Sequence, residues 1–193
     1  MVTIRPQSSP AAQQGTSLLE VLITIVILAI GLLGLAGLQT RLQSSEIEAY
    51  QRSQALILLN DMASRIATNR ANAGTYVTTL PLGVGMTTCP TGTSTQLIDA
   101  GQWCSALQGA AETLDTNGVG AMVGGRGCVE KITSSAGERE YRITVAWQGL
   151  TPISAPPAGI TCGQGSYNGG TACVNDLCRR TVTTIVRIGD LAS

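Results

Sequence analysis

The sequence predicts an α+β protein in which one long amino-terminal helix packs on a small antiparallel sheet. Three observations support this prediction. An uncharged apolar run of 18 residues extends from Val21 to Leu38. Helical periodicity continues after it, and alternating strand patterns appear only towards the carboxyl end, among six cysteines. A sheet of this size must bury one face against another layer, and the second half of the helix can supply that layer.

The apolar run is long enough to cross a bilayer as a helix. A cleaved secretory signal would require a small-residue site such as Ala29-Ile30-Gly31 and would discard half of the helix. A plain signal anchor would explain the hydrophobicity but leaves Glu20, just before the run, unexplained. A carboxylate near hydrocarbon costs several kcal/mol unless it is paired, so Glu20 is predicted to have a function.

Beyond Gln39 the helix is predicted to become amphipathic. Its apolar residues recur at helical spacings, at Leu42, Ala49, Leu56, Leu59, Ala63 and Ile66. Glu48 with Arg52, and Asp61 with Arg65, are spaced as ion pairs of neighbouring turns. We expect the helix to stop between Asn72 and Gly74, which gives roughly 55 residues and about 80 Å of helix.

Three glycines recur at every third position of the apolar half: Gly31, Gly34 and Gly37. Small residues allow helices to pack closely in a membrane. Each glycine also weakens the helix by about 1 kcal/mol relative to alanine, so the segment could loosen. The two explanations are compatible.

The strands are predicted near 128–133, 140–148 and 181–188, with a turn over 134–138. In the second strand, one face carries Tyr141, Ile143, Val145 and Trp147. A short helix is expected from about Ser105 to Leu114. The connection over 149–177 is longer than ordinary loops, which indicates an ordered or disulfide-tied surface feature.

The cysteines are predicted to form disulfides in an oxidising compartment; they are Cys89, Cys104, Cys128, Cys162, Cys173 and Cys178. Free buried thiols or a zinc site are the alternatives, although no C-x-x-C pair supports zinc. Six cysteines allow 15 connectivities. Proximity in sequence and position relative to the strands favour Cys89–Cys104, Cys128–Cys162 and Cys173–Cys178.

The composition argues for a structural or binding role. The 12 basic and 12 acidic residues cancel, and histidine is absent, so the surplus charge of nucleic-acid binders and the commonest general base are both missing. We expect no cofactor, no metal and no nucleic-acid partner. Arg179 and Arg180 are predicted to form a solvated strand edge or an ion-paired site. The carboxylates of the later chain do not form a recognisable catalytic pair of the kind that glycoside hydrolases use. They are Asp99, Glu112, Asp115, Glu130 and Asp176.

The block Gly15-Thr16-Ser17-Leu18-Leu19-Glu20, set before the apolar run, resembles the processing site of type IV prepilins. The resemblance implies that prepilin peptidase removes a leader of residues 1–15 and N-methylates Thr16, where the family usually has Phe. It implies that Glu20 pairs with the terminal amine of a neighbouring subunit. It further implies a pilin-like fold: a transmembrane and assembly half of the helix over 16–38, an amphipathic half over 39–73, and a head over 74–193.

The later segments "GCVEKI", "YRITVAWQGL" and "CRRTVTTIV" resemble the narrower PilV family of minor pilins, the type IV pilus modification proteins. That resemblance implies a subunit anchored in the inner membrane before it enters a surface fibre. Its implied partners are other minor pilins, the major pilin and a tip adhesin, with parts in priming assembly, adhesion and twitching motility. A pseudopilin of a type II secretion system and a membrane-anchored extracytoplasmic binding protein or enzyme are the alternatives.

Overall fold

A computed structural model of the chain describes residues 17–110, 113–114, 117–118, 120, 122–133 and 139–189. The chain divides into two compact units, Met1–Gln43 and Ser44–Ser193. The first contributes the start of helix α1, Leu18–Thr68, and the second contains the rest of α1 and every other described element. We call the second unit the head.

Helix α1 ends at Thr68, before the predicted stop, and a 3-10 helix over Arg70–Tyr76 follows it. Asn69 lies outside the helical region at φ −101° and ψ 43°. Its side-chain amide donates to the Tyr76 hydroxyl at 3.0 Å. Such local side-chain hydrogen bonds compete with the helical ladder, which explains the early end.

The head contains a four-stranded antiparallel sheet and one further helix. Its elements are β1 Leu82–Gly83, α2 Thr95–Leu107, β2 Thr113–Leu114, β3 Asn117–Gly118, β4 Arg126–Thr133, β5 Arg139–Gln148 and β6 Arg179–Ile188. The sheet has the order β1-β4-β5-β6, and β2 pairs with β3 separately. The three predicted strands are therefore present, each starting one or two residues earlier than expected. The predicted turn over 134–138 lies outside the described residues.

The short helix expected from Ser105 to Leu114 was wrong, because α2 begins ten residues earlier, at Thr95. The Ser94 hydroxyl accepts from the Leu97 backbone N–H at 3.3 Å, which is an ordinary amino-terminal cap. At the other end, Gly109 adopts φ 88°, a left-handed conformation that glycine tolerates and that ends helices. The Ser94 cap, which directly precedes α2, was overlooked in the prediction, and the helix was expected to begin only at Ser105.

The core lies between α1, α2 and one face of the sheet. The predicted face of β5 is buried, with exposures of 0–4% for Tyr141, Ile143, Val145 and Trp147. Trp103 of α2 is fully buried and donates its indole N–H to the Leu58 carbonyl of α1 at 2.9 Å. A Cβ on Gly127 would lie 2.2 Å from the Trp103 ring, so this position of β4 requires glycine.

The predicted apolar stripe of α1 is only partly the buried one. Leu59 and Ile66 are buried as expected, but the other buried positions are Gln51, Ala55 and Met62. Ala49 and Leu56 are exposed. The predicted series combined two rows: the row of Leu59 and Ile66 faces the core, whereas the row of Leu42, Ala49 and Leu56 lies on another side of the helix.

The other face of the sheet is covered as well. Thr144 and Ala146 of β5 are fully buried, and Ala146 packs in a cluster with Cys128, Cys162 and Tyr167. The Tyr167 hydroxyl donates to the Gly124 carbonyl at 2.8 Å. The long connection after β5 is therefore an ordered layer over the sheet.

Three disulfides hold these layers together: Cys89–Cys104, Cys128–Cys162 and Cys173–Cys178. They are the pairs that the sequence analysis favoured. The first ties the loop before α2 to that helix, and the second ties β4 to the long connection. The third closes a small loop directly before β6.

The two disulfides of the long connection are expected to differ in their effect on stability. Cys128–Cys162 closes a separation of 34 residues and Cys173–Cys178 one of 5. Loop-closure entropy then predicts losses of about 4 and about 2 kcal/mol when each pair is replaced by serine. Urea unfolding of a soluble head starting at Ser44 would measure both. A larger loss for the short loop would contradict this explanation.

A polar cluster joins the end of α1 to α2. Arg65 donates to Asp61 at 2.9 Å, as predicted, and also to Asp99 of α2 at 2.7 Å. The Tyr76 hydroxyl donates to the other Asp99 oxygen. Burial raises the pKa of Tyr76 above its ordinary value of 10.0, and the hydrogen bond to Asp99 raises it further.

Tyr76 should therefore stabilise the head below pH 10 and lose this contribution at higher pH. The folded state holds the phenolic proton more tightly than the unfolded state, so unfolding becomes easier as pH rises from 10 through the raised pKa. Tyr76→Phe should cost about 1–3 kcal/mol at pH 8, because Asp99 loses a donor. The difference from the unmodified head should shrink above pH 10 in denaturant titrations. Tyr50→Phe, which removes the hydroxyl of a half-exposed tyrosine in the same helix-bearing head, is the control for the substitution itself.

Candidate assembly site

Glu20 lies in the first turn of α1 and is exposed. The turn begins at Ser17, whose carbonyl accepts from the backbone N–H groups of Glu20 at 2.9 Å and Val21 at 3.3 Å. A carboxylate is favoured here by the positive end of the helix dipole. Glu20 thus combines a site that tolerates negative charge with a position next to the apolar run.

The apolar run has no partner within the described part of this chain. All residues over 17–43 are exposed, and they include 14 large aliphatic side chains between Leu18 and Leu38. Burying them would be worth on the order of 20 kcal/mol. That exceeds the stability of a typical domain, about 5–15 kcal/mol. Such a surface requires a lipid or protein environment.

Length and composition make α1 a candidate for crossing a membrane, with a mean hydropathy of 2.8 in its apolar window. Two threonine hydroxyls near this window are satisfied within the helix. Thr24 donates to the Val21 carbonyl at 2.8 Å and Thr40 to the Ala36 carbonyl at 3.1 Å. Neither hydroxyl therefore needs water, which suits an apolar environment.

The helix is continuous through Gly31, Gly34 and Gly37. A Cβ at any of the three would meet no other atom of the described chain within 4 Å. Close contact inside this chain therefore does not explain these glycines. Contact with neighbouring helices, or loosening of the helix, remains the explanation to test.

Gly15 and Thr16 lie outside the described residues, so the structure begins just after the predicted cleavage site. Glu20 and the three glycines lie in the first unit, whereas all six cysteines lie in the head. The predicted site residues are therefore divided between the two units, with the processing and assembly positions in the first.

A clamp between α1 and the long connection was not predicted from the sequence. Glu48, expected to pair with Arg52, lies 3.3 Å from Arg180 of β6. The same Glu48 oxygen accepts from the Leu150 backbone N–H at 3.1 Å. Arg180 also donates to the Thr151 carbonyl at 2.6 Å. No local spacing signals a contact between residues this distant in sequence.

Arg179, the neighbour of Arg180, is 3% exposed and lies 3.3 Å from Asp176. It donates to the carbonyls of Ile160 at 2.7 Å and Cys162 at 3.1 Å. The alternative of an ion-paired site is therefore correct for both arginines. Asp176 adopts φ 62° and accepts from the Gly165 backbone N–H at 2.8 Å. Together Asp176 and Arg179 fix the long connection over the sheet.

Several of the carboxylates considered for chemistry bind neighbouring residues of the head. Asp99, Glu130 and Asp176 each form an ion pair with an arginine. Within the described ranges, no group of three or more histidine, cysteine, aspartate or glutamate side chains could hold a metal ion. Glu112 and Asp115 lie outside those ranges.

Comparison with protein families gives two adjacent matches. Residues 10–36 match the prokaryotic N-terminal methylation motif. Residues 37–116 match the Tt1218-like family, described as type IV pilin Tt1218. Comparisons with curated proteins and with solved structures found no match. The chain is therefore similar to type IV pilins over residues 10–116, and its α+β fold is consistent with a pilin.

Proposed function

We propose that this protein is a minor pilin: a structural subunit that helps prime assembly of the type IV pilus and forms part of its tip complex. The observation that carries the proposal is Glu20, a carboxylate in the first turn of a helix whose next 18 residues, Val21 to Leu38, are exposed and almost wholly apolar. The methylation motif covers the same segment. Pilins are structural proteins, which agrees with a role as a fibre subunit.

The proposed assembly step uses opposite charges in an apolar setting. Cleavage after Gly15 creates a free amine at Thr16 while the apolar helix stays in the inner membrane. Glu20 of an incoming subunit then pairs with the amine of a neighbour. In a low dielectric this attraction is strong, and either charge alone is penalised, so the pair selects one axial register between subunits.

The minor role and the tip position rest on the resemblance of the head to the PilV family. Its segments correspond to described elements: the Cys128 segment is β4, "TVAWQ" lies in β5, and Arg179-Arg180 open β6. We infer partners among other minor pilins, the major pilin and a tip adhesin. The Tt1218-like match over 37–116 favours a pilus over a secretion pseudopilus.

Processing is expected between Gly15 and Thr16. The mature chain would then contain 178 residues, 193 minus 15, and begin with N-methylated threonine. Mass spectrometry of the intact protein from membranes and from sheared pili would measure this. Gly15→Leu should leave the precursor at full length. A mature chain starting beyond Leu38 would refute the pilin assignment.

Loss of the Glu20 charge is expected to reduce assembly without affecting insertion or folding. Glu20→Ala removes the partner of a neighbour's amine but makes residence in lipid easier. We expect the amount in sheared pili to fall about tenfold or more, equivalent to at least 1.4 kcal/mol. Glu46→Ala, an exposed glutamate later in the same helix, is the matched control. Equal amounts of both variants in pili would argue against this role for Glu20.

A further inference from the structure

Strand β6 lies at one edge of the four-stranded sheet and pairs only with β5. The Gly149 backbone N–H donates to the Cys178 carbonyl at 2.8 Å, in register with this ladder. Because hydrogen-bonded positions alternate in antiparallel pairs, the even-numbered residues of β6 bond to β5. Thr181, Thr183, Ile185 and Arg187 therefore direct their backbone groups outward, where the described chain supplies no partner.

The opposite edge of the sheet is protected. Strand β1 pairs with Arg126 and Gly127 of β4. Further along, the Val129 carbonyl accepts from the Thr78 backbone N–H at 2.9 Å, and the Val129 N–H donates to the Thr78 hydroxyl at 3.1 Å. Native proteins usually cover or charge their sheet edges to prevent unwanted pairing. The ten residues of β6 contain three arginines but no proline or lysine, and no other described strand pairs with its outer edge.

A trough runs beside this open edge, between β6 and the part of α1 in the head. Glu48 contacts Arg180 at 3.3 Å near one end, and Arg70 donates to the Gly189 carbonyl at 2.6 Å at the other. The start of β6 therefore lies near α1 at Glu48, and its end lies near the 3-10 helix that follows α1. Near the first contact lies a groove of about 400 Å³.

The walls of the trough combine apolar and polar side chains. Trp147, Val182 and Ala49 line the groove. Leu56 lies two turns beyond Ala49 on the same side of α1 and is 40% exposed. Val182 and Val186 of β6 point to the core side but are only partly buried. A further strand on β6 would complete their burial and satisfy the outward backbone groups.

We propose that β6 and this trough bind an extended segment of another protein, which adds as a fifth strand to the sheet. Main-chain hydrogen bonds would hold the segment, and alternate small aliphatic side chains would enter the trough. The groove carries Arg52 and Arg180 against a single carboxylate, Glu48. This charge balance favours a neutral or acidic segment. The site belongs to the head alone and goes beyond the proposed role in the pilus.

The geometry favours a different protein over a second copy of this chain. Antiparallel pairing of two β6 strands would reverse one head relative to the other. The two Ser44 ends, where each chain enters its head from the apolar segment, would then lie at opposite ends of the joined sheet. Two subunits anchored in one membrane cannot adopt that arrangement side by side.

Site-specific crosslinking of the full chain in producing cells tests the proposal. Benzoylphenylalanine would be placed at Thr181, Thr183 or Ile185, with Lys131 on the far edge of the same sheet as the control. We expect crosslinks from the three β6 positions to one segment of one other protein, advancing by about two residues per step, as strand pairing requires. Scattered crosslinks, their absence, or equal crosslinking from Lys131 would overturn the site. Crosslinks to β6 of a second copy would overturn the proposed partner.

Two variants separate docking from folding. Thr183→Pro removes an outward N–H but no bond to β5, so the head should fold. It should lower the crosslink yield from Ile185 about tenfold, whereas Thr183→Val, which keeps the N–H, should not. Intact disulfides and an unchanged melting temperature verify the fold; an unchanged yield with Thr183→Pro would refute strand addition. The mature amino terminus, measured in the same cells, tests the proposed function separately, because an unprocessed chain could still give these crosslinks.

Discussion

Burial of β5 on both faces is the constraint on which the rest of the head depends. One face, from Tyr141 to Trp147, packs against α1 and α2, and the other buries Thr144 and Ala146 beneath the long connection. A helix can cover the first face by amphipathic packing alone. The second has only an irregular segment to cover it, and such a segment has no repeating hydrogen bonds of its own. Disulfides and buried charged side chains hold this segment on the sheet instead of repeating hydrogen bonds.

The contacts of that irregular layer explain how the rare charges of this chain are used. Only 12% of the residues are charged, yet the described arginines of the head include several that bind across long sequence separations. Arg179 binds two carbonyls of the connection, and Arg180 joins β6 to both α1 and Thr151. A buried guanidinium supplies up to five donors in a fixed plane, so one side chain can order several carbonyls. Charged side chains here serve mainly to order the interior of the head.

How much of the structure could be predicted from the sequence depends on how far apart in the chain the interacting residues lie. The face of β5 and the apolar run of α1 were predictable, because alternation and hydrophobicity are local signals. The disulfide pairs also agree with the structure, since each joins segments whose order along the chain already suggested proximity. The start of α2 was signalled by Ser94 but was assigned ten residues too late. The Glu48–Arg180 contact could not be predicted, because it depends on packing between residues 132 positions apart. The processing site at Gly15 and Thr16 remains a prediction.

The chain exposes two surfaces with different physical requirements, and each requirement limits the kind of partner. The apolar part of α1 is stabilised by any environment that removes it from water. Lipid and the helices of other subunits can both do this, because hydrophobic attraction has no direction. Under the proposed function, specificity on that surface comes from the single charge of Glu20. The open edge of β6 instead needs donors and acceptors in strand geometry, which lipid cannot supply. Under the proposed function, a subunit built this way would share its helix contacts with other pilins while reserving its head for one partner. That division would allow a minor subunit to join a common fibre and still contribute a distinct binding site.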